Sequence, residues 1–324
     1  MWMVSMLAHQ MKIAILAPLA AVAMAPIMLG GPGNLQANDS IVRSVSNSST
    51  LECDSTNEAC ARAAAGSLGT LFLWGSQPEV LGGPNLNEPL VTDRPDFTEA
   101  SSTVGRGVTQ FEFGYTYTKN DEDRFETRSH SYPELLIRRG ILADWLELRF
   151  AWNYAGQEAG VIENSGAEDL YLGMKIALTP QSKLLPEMAL IPQMTVPTGD
   201  SDFTADEVLP GLNWIYGWEI NDFLSTAGST QFNRALDEQQ GNAYTEWAQS
   251  WTVATSLTER IGGYAEWFGL FPHSAETAET EHYFNGGFTY LFSNNIQWDV
   301  RGGVGLNDSS DDYFVGTGLS VRFP

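Results

Sequence analysis

Residues 210–220, PGLNWIYGWEI, decide the fold. In an extended chain Pro210, Leu212, Trp214, Tyr216, Trp218 and Ile220 share one face, and Gly211, Asn213, Gly217 and Glu219 share the other. One face is aromatic and apolar, the other small or polar. A strand of a soluble sandwich needs only about 5–6 residues, whereas about ten residues, tilted, cross a bilayer. The same alternation runs through 108–118, 145–154, 169–178, 296–306 and 313–323. Less regular strands fit near 128–139, 187–198, 223–234, 243–257, 260–271 and 282–292, which brings the total to twelve. The connections alternate too, short at 139–144, 180–186, 221–222, 258–259 and 293–295, long and polar elsewhere.

An even number of long strands, with short turns on one side and long loops on the other, describes an outer-membrane barrel. The expected fold is all-β: a transmembrane, antiparallel, up-and-down β-barrel of 12 strands, with a short N-terminal extension. Outer-membrane lipid is then its first partner. An even count puts both barrel ends, near Val108 and Phe323, on the periplasmic side. Seven Trp on the apolar faces (Trp152, Trp214, Trp218, Trp247, Trp251, Trp267 and Trp298) suit the headgroup level. The opposite faces place Glu112, Glu147, Arg149, Asp169, Lys175, Glu219, Glu246, Glu266, Asp299 and Arg301 in the lumen, with Glu134, Arg138, Arg260 and Arg322 beside them. These charges either line a polar pore or brace the wall as cross-strand pairs.

Upstream the pattern stops. Lys12 precedes an uncharged apolar run at 13–29, and Ala37 offers a small residue before Asn38, so 1–37 reads as a signal peptide. Residues 38–106 form an N-terminal extension and 107–324 the barrel. Export permits a disulfide between Cys53 and Cys60, which bracket the hydrophilic CDSTNEAC; two unpaired thiols is the other reading.

Net charge excludes some functions. With 17 Lys and Arg against 40 Asp and Glu, the chain carries −23 and lacks the basic face a nucleic acid requires. Two cysteines and no calcium-loop pattern give no metal site, and the glycine runs lie inside strands, so no cofactor is expected. The six long connections hold 19 acidic residues and two basic ones, Arg124 and Arg128, which favours cations and neutral solutes over anions. A barrel lipid hydrolase needs a Ser activated by His. His130 lies between Ser129 and Ser131, but adjacent strand residues face opposite ways. The expected chain is therefore not an enzyme. A hydrolase and a non-conducting structural or adhesive barrel remain the alternatives.

Just before the first strand stands Val91-Thr92-Asp93-Arg94-Pro95-Asp96-Phe97-Thr98-Glu99. This resembles the TDRPDFTE signature of the bacterial outer-membrane family called "putative MetA-pathway of phenol degradation", and the resemblance spans roughly 88–324. It implies an outer-membrane transporter or channel for small, often aromatic or apolar, molecules, with no catalytic residues. Barrels of this kind end on an aromatic residue read by the barrel-assembly machinery; here Phe323 is followed by Pro324. The motif itself packs charges tightly: Arg94 is a lone base among Asp93, Asp96 and Glu99, and its planar guanidinium suits bidentate pairing with a lumen carboxylate. Pro95 keeps Arg94 out of a helix, and Phe97 is available to cover apolar surface. The motif is expected to fold into the periplasmic mouth as a lumen plug; the other reading is an exposed linker.

Overall fold

A computed structural model describes residues 86–122, 125–237 and 241–323. The expected signal peptide and the expected Cys53–Cys60 pair lie outside the described residues. The strands are β1 (Thr109–Glu122), β2 (Phe125–Gly140), β3 (Leu146–Ala159), β4 (Ile162–Ala167), β5 (Leu170–Thr179), β6 (Glu187–Val196), β7 (Leu209–Asn221), β8 (Leu224–Leu236), β9 (Ala243–Ser256), β10 (Ile261–His273), β11 (Glu281–Ser293), β12 (Ile296–Gly305) and β13 (Tyr313–Phe323). All pair antiparallel with their neighbours, and β1 pairs with β13, with Thr109 opposite Phe323. Twelve strands thus close a ring, with no edge left for lipid to meet.

The thirteenth strand is β4, which lies within what the sequence presents as the long connection 157–168. β3 pairs with β5 along its first half and with β4 along its second. Gly160, at φ +63°, turns the hairpin, and Glu168 and Asp169 interrupt its return limb. Residues 155–168 carry no apolar alternation because this hairpin's outer positions are small or polar, so periodicity could not reveal it. A second irregularity lies in β2. Alternation forward from inward-facing Ser131 reaches Pro133, while alternation back from inward-facing Arg138 reaches Glu134. A bulge between Tyr132 and Leu135 reconciles the two and turns Glu134 into the lumen.

Burial is inverted relative to a soluble sandwich. Trp214, Trp251 and Trp298 are 44%, 44% and 42% exposed, while inward-facing Glu112, Arg138, Glu147 and Lys175 are fully buried. An outer belt that includes Phe150, Leu212, Phe232, Phe288 and Leu319 is apolar and exposed, as lipid requires. The short turns 141–145, 180–186, 222–223, 257–260 and 294–295 lie at the end where Val108 enters and Phe323 finishes.

Candidate functional site: the segment inside the barrel

The residues before β1 run along the short-turn rim, rise into the lumen, turn, and come back to start the wall. At the rim, Arg322 Nη2 donates to Glu88 O at 2.7 Å and Leu90 N to Asn294 O at 2.8 Å. Gln297 Nε2 then meets Thr92 Oγ1 at 2.8 Å.

Asp93 is the hub. Its carboxylate pairs with Arg149, with Lys175 Nζ at 2.8 Å and with Arg138 Nε at 3.3 Å. It also accepts from Ala100 N at 2.9 Å, which ties the two limbs of the segment together. Its own N–H donates to both oxygens of Glu112 at 3.1 Å.

Arg94 reaches across the junction of first and last strands. Nη1 pairs with Glu134 on β2 at 2.6 Å; Nη2 donates to Thr317 O on β13 at 3.2 Å and lies 3.5 Å from Asp299 on β12. The guanidinium lies over Gly114 and Gly318, which face each other across β1 and β13. A Cβ at either would collide with it.

The tip is held by Glu266, which accepts from Phe97 N at 2.6 Å, Thr98 N at 2.7 Å, Thr98 Oγ1 at 2.7 Å and Asn285 Nδ2 at 2.8 Å. Phe97 stacks on Phe268 at 4.5 Å, and Phe268 on Tyr283 at 4.8 Å, with Phe314 completing the cluster. Arg301 Nη1 donates to Pro95 O at 3.1 Å. On the return limb, Glu99 accepts from Arg149 Nη2 at 2.6 Å and from Asn213 Nδ2 at 3.0 Å; Val104 N donates to Glu147 Oε2 at 2.8 Å.

Of the lumen positions read from the sequence, Glu112, Glu147, Arg149, Lys175, Glu266, Asp299 and Arg301 surround this segment. Four stand elsewhere. Glu219 is exposed at the short-turn rim, where its backbone bonds Gln181. Asp169 caps a long connection, accepting from Thr198, Gly199 and Ala205 N–H groups at 2.9–3.0 Å. Glu246 faces the lumen beyond the tip. Arg260 lies in a short turn rather than in the lumen. The wall charges do brace one another, as in Arg138 with Glu147 at 2.9 Å, but they also converge on the segment. His130 is on the outward face beside Tyr115, 2.7 Å from its hydroxyl, with Ser129 and Ser131 turned the other way.

Sequence periodicity did not reveal the inward aromatics Phe268, Tyr283 and Phe314. They break the polar-in rule because their partner is Phe97 rather than water. Nor did it reveal the glycine pair beneath Arg94; two inward glycines at matched positions before a docking Arg were the available signal.

The two segment aspartates are oppositely tuned. Burial works to raise the Asp93 carboxyl, but Arg138, Arg149 and Lys175 outweigh it and hold it far below the usual range. Burial, then the Glu266 carboxylate, pushes the half-buried Asp96 well above it; Asp93 adds to this and Arg301 opposes it. A carboxyl raised on docking holds its proton more tightly docked than free, so Asp96 favours docking in mild acid and loses that contribution as pH rises through its docked value. Asp93 favours docking throughout that window, because its contribution is lost only below the ordinary carboxylate range. Lowering pH from the raised docked value toward the ordinary carboxylate range is therefore expected to tighten the segment, by up to about tenfold in the docking equilibrium per unit crossed. Proteolysis of the segment across this range measures it. Asp96→Asn should weaken the dependence, and tighter docking at alkaline pH would contradict the assignment.

Residues 92–323 match the family model described as "Putative MetA-pathway of phenol degradation". The chain belongs to this family. No curated protein matches it. Among solved structures it is similar to the COG4313 outer membrane channel from Pseudomonas putida F1, at 12% identity and a TM-score of 0.58, covering 71% of this chain and 99% of that one. It also aligns with the translocator domain of the autotransporter NalP from Neisseria meningitidis, at 9% identity and a TM-score of 0.45, covering 67% and 88%. The first likeness establishes the fold of an outer-membrane β-barrel.

Proposed function

We propose that this member of the family is an outer-membrane channel for small molecules, held closed by residues 90–104 as a plug. One observation carries the reading: each of the five inward-facing basic residues of the wall, Arg138, Arg149, Lys175, Arg301 and Arg322, bonds the segment upstream of β1. A linker that merely connects would not engage every one of them. Buried ion pairs add little net stability but fix one arrangement and are costly to break singly, which suits a part that must seat in one position and still be removable.

Small aromatic or apolar solutes fit the family and the aromatic tip, and the acidic long connections favour cations and neutral molecules over anions. The experiment is planar-bilayer conductance of the native barrel against Arg94→Ala. The variant should fold, conduct more, and expose the chain before Val108 to protease from the short-turn side. Losing the paired guanidinium leaves Glu134 and Asp299 facing each other, so the docking equilibrium should fall by about tenfold or more. Unchanged conductance with unchanged proteolysis would reduce the segment to a linker.

A further inference from the structure

Glu168 and Asp169, both buried, interrupt the wall between β4 and β5. The connection from β6 to β7 clasps this interruption. Asp169 accepts from the Thr198, Gly199 and Ala205 N–H groups. Leu170 N donates to Thr198 Oγ1 at 3.0 Å. Asp200 N donates to Ala167 O, and Ala167 N to Asp200 Oδ2, both at 2.8 Å. Gly199 lies flat on the interruption: a Cβ there would stand 2.8 Å from Ala167 O and 3.0 Å from the Glu168 carbonyl carbon.

On the lumen side the same interruption is held by Asn153 of β3, which is fully buried. Glu168 N donates to Asn153 O at 3.0 Å, and Asn153 Nδ2 donates to Glu168 Oε2 at 2.6 Å and to Ser131 Oγ at 2.8 Å. Asn153 Oδ1 accepts from Glu134 N at 3.2 Å. Glu134 is the residue that the β2 bulge turns inward, and its φ is +43°. This left-handed conformation is uncommon for a residue with a side chain and persists where neighbours hold it. Asn153 holds the Glu134 N–H, and Arg94 of the plug holds its carboxylate. One unbroken series of bonds therefore joins the β6–β7 connection to the plug, through Glu168 and Asp169, Asn153, Glu134 and Arg94.

We propose that the β6–β7 connection controls the plug: seated on residues 167–169 it keeps Arg94 docked, and lifted from them it releases Arg94, with Asn153 as the positioning residue between the two. A buried amide must keep its partners. When the connection lifts, Glu168 shifts, the Asn153 amide follows it, and the Glu134 N–H is left unpaired. Glu134 then relaxes from its left-handed conformation and withdraws its carboxylate from Arg94. Such coupling is reciprocal, so undocking Arg94 must loosen the connection in turn. The inference rests on the plug reading and adds the point at which release is triggered, at the long-connection end.

Two readouts on the full chain in detergent micelles test this: proteolysis of the chain before Val108, and hydrogen exchange of the Thr198, Gly199 and Ala205 amides. Gly199→Val lifts the connection without removing a polar group, because its added carbons meet backbone. It should speed exchange at these amides, raise proteolysis about fivefold or more, and raise planar-bilayer conductance. Arg94→Ala, at the far end of the series, should speed exchange at the same amides. Asn153→Leu, checked for folding by heat-modifiable migration, should loosen the plug and cut the link, so that adding Gly199→Val brings little further proteolysis. Asn153→Asp keeps an acceptor for Glu134 but repels Glu168, and should cut the link as well. Gly156→Ala is the control: its added carbon meets nothing nearer than His130 Cβ at 3.9 Å, and both readouts should stay native. Native proteolysis in a Gly199→Val chain whose amides exchange fast would overturn the proposal, as would native exchange in Arg94→Ala. So would an equal effect of Gly199→Val with and without Asn153. If Arg94→Ala conducts while Gly199→Val leaves the plug native, the coupling falls and the channel stands. If Arg94→Ala speeds exchange at 198–205 but never conducts, the coupling stands and the channel reading falls.

Discussion

Asp93→Ala should open the barrel more than any other single change in the segment. The residue is buried, and its carboxylate meets Arg138, Arg149 and Lys175 at once. Without it the three cations keep only Glu99, Glu112 and Glu147 as carboxylate partners and repel one another across the gap. Removing one member of a buried pair costs about 3–5 kcal/mol, and every 1.4 kcal/mol is about tenfold, so docking should weaken by roughly two to three and a half orders of magnitude. The barrel wall itself stays paired through its own hydrogen bonds, so heat-modifiable migration should persist. Single-channel conductance should rise and the chain before Val108 should become protease-sensitive. Asp93→Asn separates charge from hydrogen bonding. It retains an oxygen for the Ala100 N–H but loses the charge, and should open the channel nearly as far. If Asp93→Asn stays closed, the Ala100 bond rather than the cation cluster holds the segment.

The second large effect needs no change of charge. Gly114→Val or Gly318→Val places a side chain where the Arg94 guanidinium lies, and at Gly114 also against the Glu134 carboxylate. The neighbours at Gly318 include the backbone of Phe113 at 2.7 Å, so the wall cannot yield there. Overpacking a filled interior costs about 1–3 kcal/mol, equal to roughly five- to 150-fold in docking. Each valine should raise conductance, and the two together should add little, because both displace one guanidinium. Gly217→Ala is the control. It also faces the lumen, but the added carbon meets nothing nearer than Ser101 Oγ at 3.4 Å, and the barrel should stay closed. A conducting Gly217→Ala, or silent valines, would remove Arg94 from the plug.

Much of this architecture was legible in the sequence, for a physical reason. A strand between lipid and lumen must alternate, and β1, β3, β5, β7, β12 and β13 do so cleanly. The strands that read poorly are those where the lumen is not simply wet. β10 carries Tyr264, Glu266, Phe268 and Leu270 inward and Trp267 and Phe271 outward, because its inner face receives Phe97. β2 changes phase at Pro133. For the motif, charge density and position before β1 indicated docking, and Arg94 meets carboxylates. What a linear reading could not supply was the identity of its partners. Glu134 depends on a bulge, Glu266 on the reach of the tip, and Asp93's three cations on the curvature that brings β2, β3 and β5 around one carboxylate.

The position of Arg94 bears on how the barrel is built. Contacts between β1 and β13 join residues about two hundred positions apart, the costliest loop in the chain to close. Only when these strands meet do Gly114 and Gly318 form one floor, and only then can a single guanidinium touch β2, β12 and β13 together. Seating of Arg94 is thus a local reporter of ring completion. A barrel still open at its first and last strands has no place for it.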